Sequence, residues 1–520
     1  MSNAQRPLCH TELVMNSLRR WPAREAFRQD GRAWTYAQTA DLVSRFAALF
    51  RQRGLAHGQG VGILSPNRPE VWMSQAAISV AGGRYTALHP MGSLADHQYA
   101  CNEAELRFLC VDPDYADRAA ELMESCPPVE AVLGFGPSAS GEDLLALSEG
   151  VAARPFEPGP HAPDDTSWLL YTGGTTGVPK AAMLSESAVA QMALAVSSGW
   201  DLPKQRRYLA CAPITHAAGM LITPTLMAGG TVILQRGFDP GRWLSELSAE
   251  RATLSLLVPT MIYVLLDHPG LDAADLASLE TIMYGASPMS PARLVEGIER
   301  IGPVFAQLYG QTECVGVATS LWRDHHDPKD PARLASCGLP MPNVRVEIRD
   351  GEGRALPPGE AGEICVQGPS VMKGYFKQPE LTAETLVDGW LHTGDVAVSD
   401  DEGFLTIVDR KKDMIVSGGF NVFPREIEDV LSTHPAVSAV AVIGVPDEKW
   451  GEAVKAVVVP RPGETVDAGE LISLVKQRKG AVYAPKTVDV VESLPLTAVG
   501  KADKKALRAR YWDPSGRGVH

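Results

Sequence analysis

Short apolar runs alternate with stretches of helical period through the first two-thirds of the chain, and that alternation narrows the fold more than any other feature. Strand-like runs fall at 61–64, 131–135, 168–171, 207–210, 231–234, 253–258, 281–284 and 304–309. Between them lie patterns such as 36–53, with Leu42, Phe46, Leu49 and Phe50 on one face and Gly54 as a stop. The Ala/Val-rich segment 69–82 reads as a core helix. Strands alternating with helices predict an α/β architecture of parallel sheets covered by helices. A chain of 520 residues is too long for one core. Between 336 and 408 the texture changes to short alternating strands at 344–348, 363–367 and 404–408, broken by turns such as Asp350-Gly351 and Pro357-Pro358-Gly359. That predicts a small antiparallel sheet or barrel. After the charged stretch 409–413 comes an α+β unit, with strands at 439–445, 453–459 and 487–491 and a helix at 468–478. The expected division is an N-terminal domain, 1–412, containing the β subdomain at about 336–408, hinged to a C-terminal domain, 413–520.

The net charge of −14 argues against nucleic acid or an anionic membrane as the main partner. From Asp413 onward 14 Lys/Arg balance 14 Asp/Glu, so the acidic excess lies upstream. The eight cysteines are scattered with no CxxC pair, which disfavours structural zinc and predicts reduced thiols in a cytoplasmic protein. No apolar stretch reaches the roughly 20 residues of a membrane helix, and no signal peptide is expected at the N-terminus.

Four constellations bear chemistry. Residues 172–180, Thr-Gly-Gly-Thr-Thr-Gly-Val-Pro-Lys, follow an apolar strand. Glycines admit close backbone approach and threonines add donors, so the loop suits a polyphosphate and points to a nucleotide. It is not a P-loop, because Val178 and Pro179 separate Gly177 from Lys180 and no Ser/Thr follows the lysine. Tyr309-Gly310-Gln311-Thr312-Glu313 ends an apolar strand, where parallel sheets bind ligands. Its ring can stack on a base and its carboxylate can hold a hard cation, although a strand-to-helix turn with a Thr cap reads equally well. Asp395, after His392-Thr393-Gly394, suits ribose hydroxyls, but the bland reading of an Asx-turn is the stronger one for this motif alone. Gly500-Lys501 precedes a helix at 503–510 and offers a mobile cation.

Taken in order, these motifs resemble the adenylate-forming superfamily of acyl- and aryl-CoA synthetases, luciferases and adenylation domains, over about residues 34–511. The resemblance implies that Thr172, Gly173, Gly174, Thr175, Thr176, Gly177 and Lys180 hold the β- and γ-phosphates of ATP. Gly174 stands where the family usually has serine, which predicts weaker ATP binding. It implies that Tyr309 stacks on adenine, with Gly285, Ala286 and Ser287 along the base edge, beside Gly310 and Gln311. Thr312 would touch the α-phosphate, Glu313 the Mg²⁺ ion, and Asp395 and Arg410 the ribose. Lys412 would be the hinge, and Lys501 would bridge the substrate carboxylate and the α-phosphate. His216, Gly219, Met220, Ala286 and Gly310 would line an acyl pocket for an uncharged tail, His216 also standing near the pantetheine path. CoA would meet Gly418 and Gly419, with Trp450, Tyr483 and Lys486 near its nucleotide.

The implied activity is ATP-dependent acid–thiol ligation in two half-reactions: acyl-AMP with release of pyrophosphate, then transfer to CoA with release of AMP. A fatty-acyl-AMP ligase or aryl-CoA ligase is the alternative within the superfamily, and a nucleotide-binding pseudoenzyme the alternative outside it. Linear fatty, aromatic and steroid acids stay open, as does a homodimer.

Overall fold

The computed structural model describes residues 6–152, 161–172, 179–410, 413–417, 420–447, 450–497 and 501–511. Among these, one sheet of nine strands runs Leu339–Pro340, Thr319–Leu321, Phe305–Tyr309, Thr281–Gly285, Leu254–Leu257, Arg207–Ala210, Thr231–Leu234, Glu25–Gln29 and Arg32–Thr35. A second, of seven, runs Glu142–Asp143, Ala131–Gly134, Leu106–Val111, Gly60–Leu64, Arg84–Leu88, Thr166–Thr172 and Lys180–Ser185. Their interiors are parallel, as the strand–helix alternation predicts. Three of the four edges are not: antiparallel pairs end both sides of the first sheet and the Lys180–Ser185 side of the second, whereas Glu142–Asp143 pairs in parallel. At one edge Asp30-Gly31, with φ of 49° and 78°, turns Glu25–Gln29 back onto Arg32–Thr35. Positive φ at both turn residues matches the right-handed twist of the strands, and Asp-Gly is the sequence mark of such a turn.

Helices form where the local chemistry starts and stops them. Tyr36–Gln52 begins at Thr35, whose hydroxyl accepts from Gln38 N–H while the Gln38 amide accepts from Thr35 N–H. Every residue of Pro69–Ala81 is buried, as an all-round apolar helix requires, and Gly82 ends it at a φ of 94°.

The β subdomain is a five-stranded antiparallel sheet in which Trp390–Ser399 pairs with Gly362–Gln367, Leu386–Val387 and Leu405–Arg410. The C-terminal domain carries its own sheet, built on the long pair Val437–Asp447 and Gly451–Pro460, with Thr487–Val490 alongside in parallel. Helices Pro424–Leu431 and Ala468–Lys479 pack through Ile427, Leu431, Leu471 and Val475 into its core. The two apolar clusters of this domain draw only on residues from 415 onward, and the three clusters of the N-terminal part stop at 407. The cores are therefore separate on either side of the charged stretch. Among the described residues no helix is long and apolar enough to cross a membrane.

Candidate active site

The site forms where two parallel strands end side by side. Gly285 lies opposite Leu308, and a Cβ on it would collide with the Leu308 carbonyl, so a larger residue would prise the strands apart. Ala286 then takes a left-handed φ of 64°, which turns the chain away before Ser287. Gly310 abuts the Gly316 backbone in the same way, and the chain continues from Gln311 into a single helical turn, Thr312–Cys314.

Here two motifs far apart in sequence meet. Tyr309 Oη donates to Asp395 Oδ2 at 2.8 Å, and Gln311 Nε2 donates to the same oxygen at 2.7 Å and to the Thr393 carbonyl at 2.8 Å. Burial, then the Asp395 charge, pushes the Tyr309 phenol well up, so it remains a donor. Asp395 is not held by the Asx-turn that its motif alone suggests. It sits inside strand Trp390–Ser399, across from Arg410. Gly394 takes a φ of 72° there, and its N–H donates to Glu363 Oε1 at 2.8 Å, which fixes the kink that aims the carboxylate.

Thr172 and Lys180 face each other across an antiparallel pair, so the strands on either side of the glycine-rich segment are neighbours. Gly173, Gly174, Thr175, Thr176 and Gly177 lie outside the described residues, as do Lys412, Gly418 and Gly419. Lys180 Nζ stands 3.6 Å from Glu313 Oε1, which is buried. Among the described residues no group of three His, Cys, Asp or Glu side chains is spaced to hold a metal. A lone buried carboxylate fits Mg²⁺ of the kind that arrives on substrate phosphates and takes one or two protein oxygens.

His216 is half-buried beside His89, their rings edge to face at 4.7 Å. Burial first, then His89 and the Lys501 ammonium, hold its imidazole down at about 3, so it is neutral. The Lys501 charge of the C-terminal domain thus lies near enough to act on His216. Lys501 sits on a tight loop, with Thr497 N–H donating to its carbonyl at 2.7 Å and its own N–H donating to Thr497 Oγ1 at 3.1 Å. Gly219 presses on the Ile214 carbonyl, and the Met220 thioether end lies over Gly316, so His216, Gly219, Met220 and Gly310 come together at one place.

Asn67 holds the segment that bears His216. Its Nδ2 donates to Ala212 O at 2.8 Å, and its Oδ1 accepts from Ile214 N at 2.9 Å. Asn67, His89, Glu363 and Tyr375, whose phenol bridges Lys180 and Glu313, are absent from the sequence reading. Asn67 and His89 follow the C-terminal ends of parallel strands Gly60–Leu64 and Arg84–Leu88, a position that would have flagged both. Tyr375 carries no comparable signal. Of the CoA set, Lys486 Nζ lies over the exposed Trp450 ring at 5.4 Å, whereas Tyr483 packs half-buried against the C-terminal core.

A family profile described as AMP-binding enzyme matches residues 14–376, and one described as AMP-binding enzyme C-terminal domain matches 426–501. The medium/long-chain-fatty-acid–CoA ligase FadD8 of Mycobacterium tuberculosis is 45% identical over 99% of this chain and 92% of its own. A feruloyl-CoA synthase of Amycolatopsis sp. is 39% identical over 94% of this chain and 98% of its own. The ATP-bound structure of MatB from Rhodopseudomonas palustris superposes with a TM-score of 0.87 at 31% identity, covering 96% of this chain and 99% of the other.

Proposed function

This chain belongs to the AMP-binding enzyme family, and we propose that it ligates an uncharged, apolar carboxylic acid to CoA through the residues assembled above. The reaction is ATP-dependent acid–CoA ligation by way of an acyl-adenylate, and its relatives are named as a CoA ligase and a CoA synthase. A free carboxylate acylates nothing, because an oxide would have to leave. Attack on the α-phosphorus of ATP replaces that leaving group with AMP.

The protein's contribution is positioning and charge stabilisation. Asp395, held by Tyr309 and Gln311, receives the ribose, and the Gly285–Ser287 turn borders the base. Thr312 meets the α-phosphate. Lys501 supplies the ammonium that neutralises charge shared between the carboxylate and the α-phosphate. Glu313 would hold Mg²⁺, which supplies charge neutralisation to the departing pyrophosphate. His216, neutral and half-buried, borders the acyl group, with Met220 and Gly219 keeping that wall apolar. No acid–base or nucleophilic residue is required. Lys486 over Trp450 presents a cation and an aromatic face to the CoA nucleotide. All eight thiols are free and buried, which supports a reducing, cytoplasmic setting.

The observation that carries this reading is the threefold tie of Tyr309 and Gln311 to Asp395 and Thr393, with Lys501 brought to the same site. Relatives acting on fatty and on aromatic acids support an apolar acid without choosing between them. A panel of fatty, aromatic and steroid-derived acids, read by pyrophosphate release with and without CoA, tests it. Acid-dependent pyrophosphate release and CoA-dependent thioester are expected. Pyrophosphate without thioester would reduce the enzyme to an acyl-AMP ligase, and neither product would overturn the reading.

A further inference from the structure

Residues 372–376 lie between strand Lys180–Ser185 and the turn that carries Glu313, joined to that strand by a bridge between Ala182 and Tyr375. Lys373 N donates to Met183 O at 2.9 Å, Met183 N to Gly374 O at 2.9 Å, Phe376 N to Ala181 O at 2.8 Å, and Met372 N to Glu313 O at 2.7 Å. Tyr375 N donates to Thr382 Oγ1 at 2.9 Å. This segment is thus laced on both sides, and the Tyr375 ring has no room to swing: it is 2% exposed.

Its hydroxyl lies 2.6 Å from Lys180 Nζ and 2.7 Å from Glu313 Oε1. The directions are fixed by chemistry. An ammonium only donates, so the phenol oxygen accepts from Lys180, and its single proton goes to the Glu313 carboxylate. Burial, then Glu313, pushes the phenol far above its usual range, so that proton stays in place. Lys180 also lies over the Tyr375 ring at 4.3 Å. One side chain therefore grips a cation at the end of the phosphate hairpin and an anion at the end of the Tyr309 strand, and both bonds are of the strong, charge-assisted kind.

We propose that Tyr375 is a positioning residue for the triphosphate end of ATP. Without nucleotide, Lys180 and Glu313 neutralise each other through its hydroxyl. When ATP arrives, the pair divides: the lysine turns to the β- and γ-phosphates and the carboxylate to their counter-cation, while the phenol keeps both within reach. The assignment rests on the proposal that ATP is the substrate. It has a signature that general damage would lack, because AMP has neither the outer phosphates nor their cation.

The test is equilibrium binding to the full-length protein without acid or CoA, comparing the unaltered protein with Tyr375→Phe. The MgATP dissociation constant should rise about tenfold or more, the effect of losing a hydrogen bond to a charged group. The AMP constant should stay within about twofold. The Mg²⁺ concentration for half-maximal ATP binding should rise as well. AMP binding also reports that the variant is folded. Unchanged MgATP affinity, or an equal loss for MgATP and AMP, would overturn the assignment. Failure of the unaltered protein to bind MgATP would bring down the proposed function itself, and this inference with it.

Discussion

Asn67→Ala tests whether the acid side of the site is held in place from the opposite sheet. The substitution removes the donor to Ala212 O and the acceptor for Ile214 N. All three residues are buried, at 3%, 3% and 4% exposure, so water does not replace the lost partners. Pro213, between the two groups, has no N–H to offer instead. Each orphaned buried backbone group costs about 1–3 kcal/mol, so the pair amounts to roughly 2–6 kcal/mol. Part of this will be relieved by moving the segment, and His216 N, bonded to Pro213 O at 3.1 Å, moves with it. A displacement of about 1 Å at a reacting group costs on the order of 10²-fold in rate. Urea unfolding followed by fluorescence should show the stability loss. Acid-dependent pyrophosphate release should show kcat/KM for the acid falling by about 10–100-fold, with the KM for ATP little changed. Asn67→Asp keeps an acceptor for Ile214 but sets a carboxylate against the Ala212 carbonyl, and should do no better. If Asn67→Ala lies within about 0.5 kcal/mol of the parent, the level of an inert surface change, and keeps its kcat/KM, the clamp argument is wrong.

Lys501→Ala should lower acyl-adenylate formation by about 10²–10³-fold, the cost of removing one stabilising donor from developing charge, and near-parental rates would dismiss the role given to it. Lys486→Glu should raise the KM for CoA about three- to tenfold and spare acid-dependent pyrophosphate release; unaltered CoA kinetics would move the CoA site elsewhere. Gly310→Ala forces a methyl group into the Gly316 backbone and should cost about 1–3 kcal/mol, read as a lower thermal midpoint. Burial raises Asp429 to about 6, with Arg425 opposing. Because the folded value lies above the unfolded one, its stabilising protonated form is present at low pH and lost as pH rises through about 6. Asp429→Asn should therefore raise the thermal midpoint most at pH 8, by about half as much at pH 5 and hardly at all at about pH 3, and equal shifts at pH 3 and pH 8 would refute the linkage.

Much of the fold was legible because its strands are apolar runs with clear period. The reading of 207–210, 231–234 and 304–309 matches Arg207–Ala210, Thr231–Leu234 and Phe305–Tyr309 closely. Arg84–Leu88 escaped because arginine and threonine interrupt it, and His10–Arg20 because its polar residues are buried by partners distant in sequence, as when Glu186 accepts from Thr11 N at 2.9 Å. Lys180–Ser185 was hidden behind the glycine-rich segment, whose composition signals a loop and not the strand that follows. The site divides in the same manner. Tyr309, Asp395 and Lys501 stand in ordered motifs, whereas Asn67 and Tyr375 act through partners about 145 and 195 positions away, a distance at which local pattern carries no information.

The contacts between the two domains explain why Lys501 can be both present at the site and removable from it. Polar bonds join them: Ser290 Oγ donates to Ser432 Oγ at 2.6 Å, Ser438 Oγ to Asp267 Oδ2 at 3.1 Å, Arg461 pairs with Glu296 at 3.1 Å, and Arg425 donates to the Ile407 carbonyl at 3.0 Å. On the N-terminal side, Asp267 and Glu296 are both anchored by the buried Arg293, at 2.8 and 2.7 Å. Those two carboxylates thus stay compensated when their C-terminal partners leave. Each such hydrogen bond is worth only about 0.5–1.5 kcal/mol net, because water takes its place, whereas a shared apolar core would have to be torn open. With no apolar cluster spanning the two domains among the described residues, detachment exposes little hydrophobic surface. In the proposed reaction, the acyl carbonyl beside Lys501 during adenylation must afterwards be reached by a thiol. A tail seated by replaceable polar bonds, over carboxylates already neutralised from beneath, can withdraw that ammonium at low cost and leave the acyl-adenylate facing CoA.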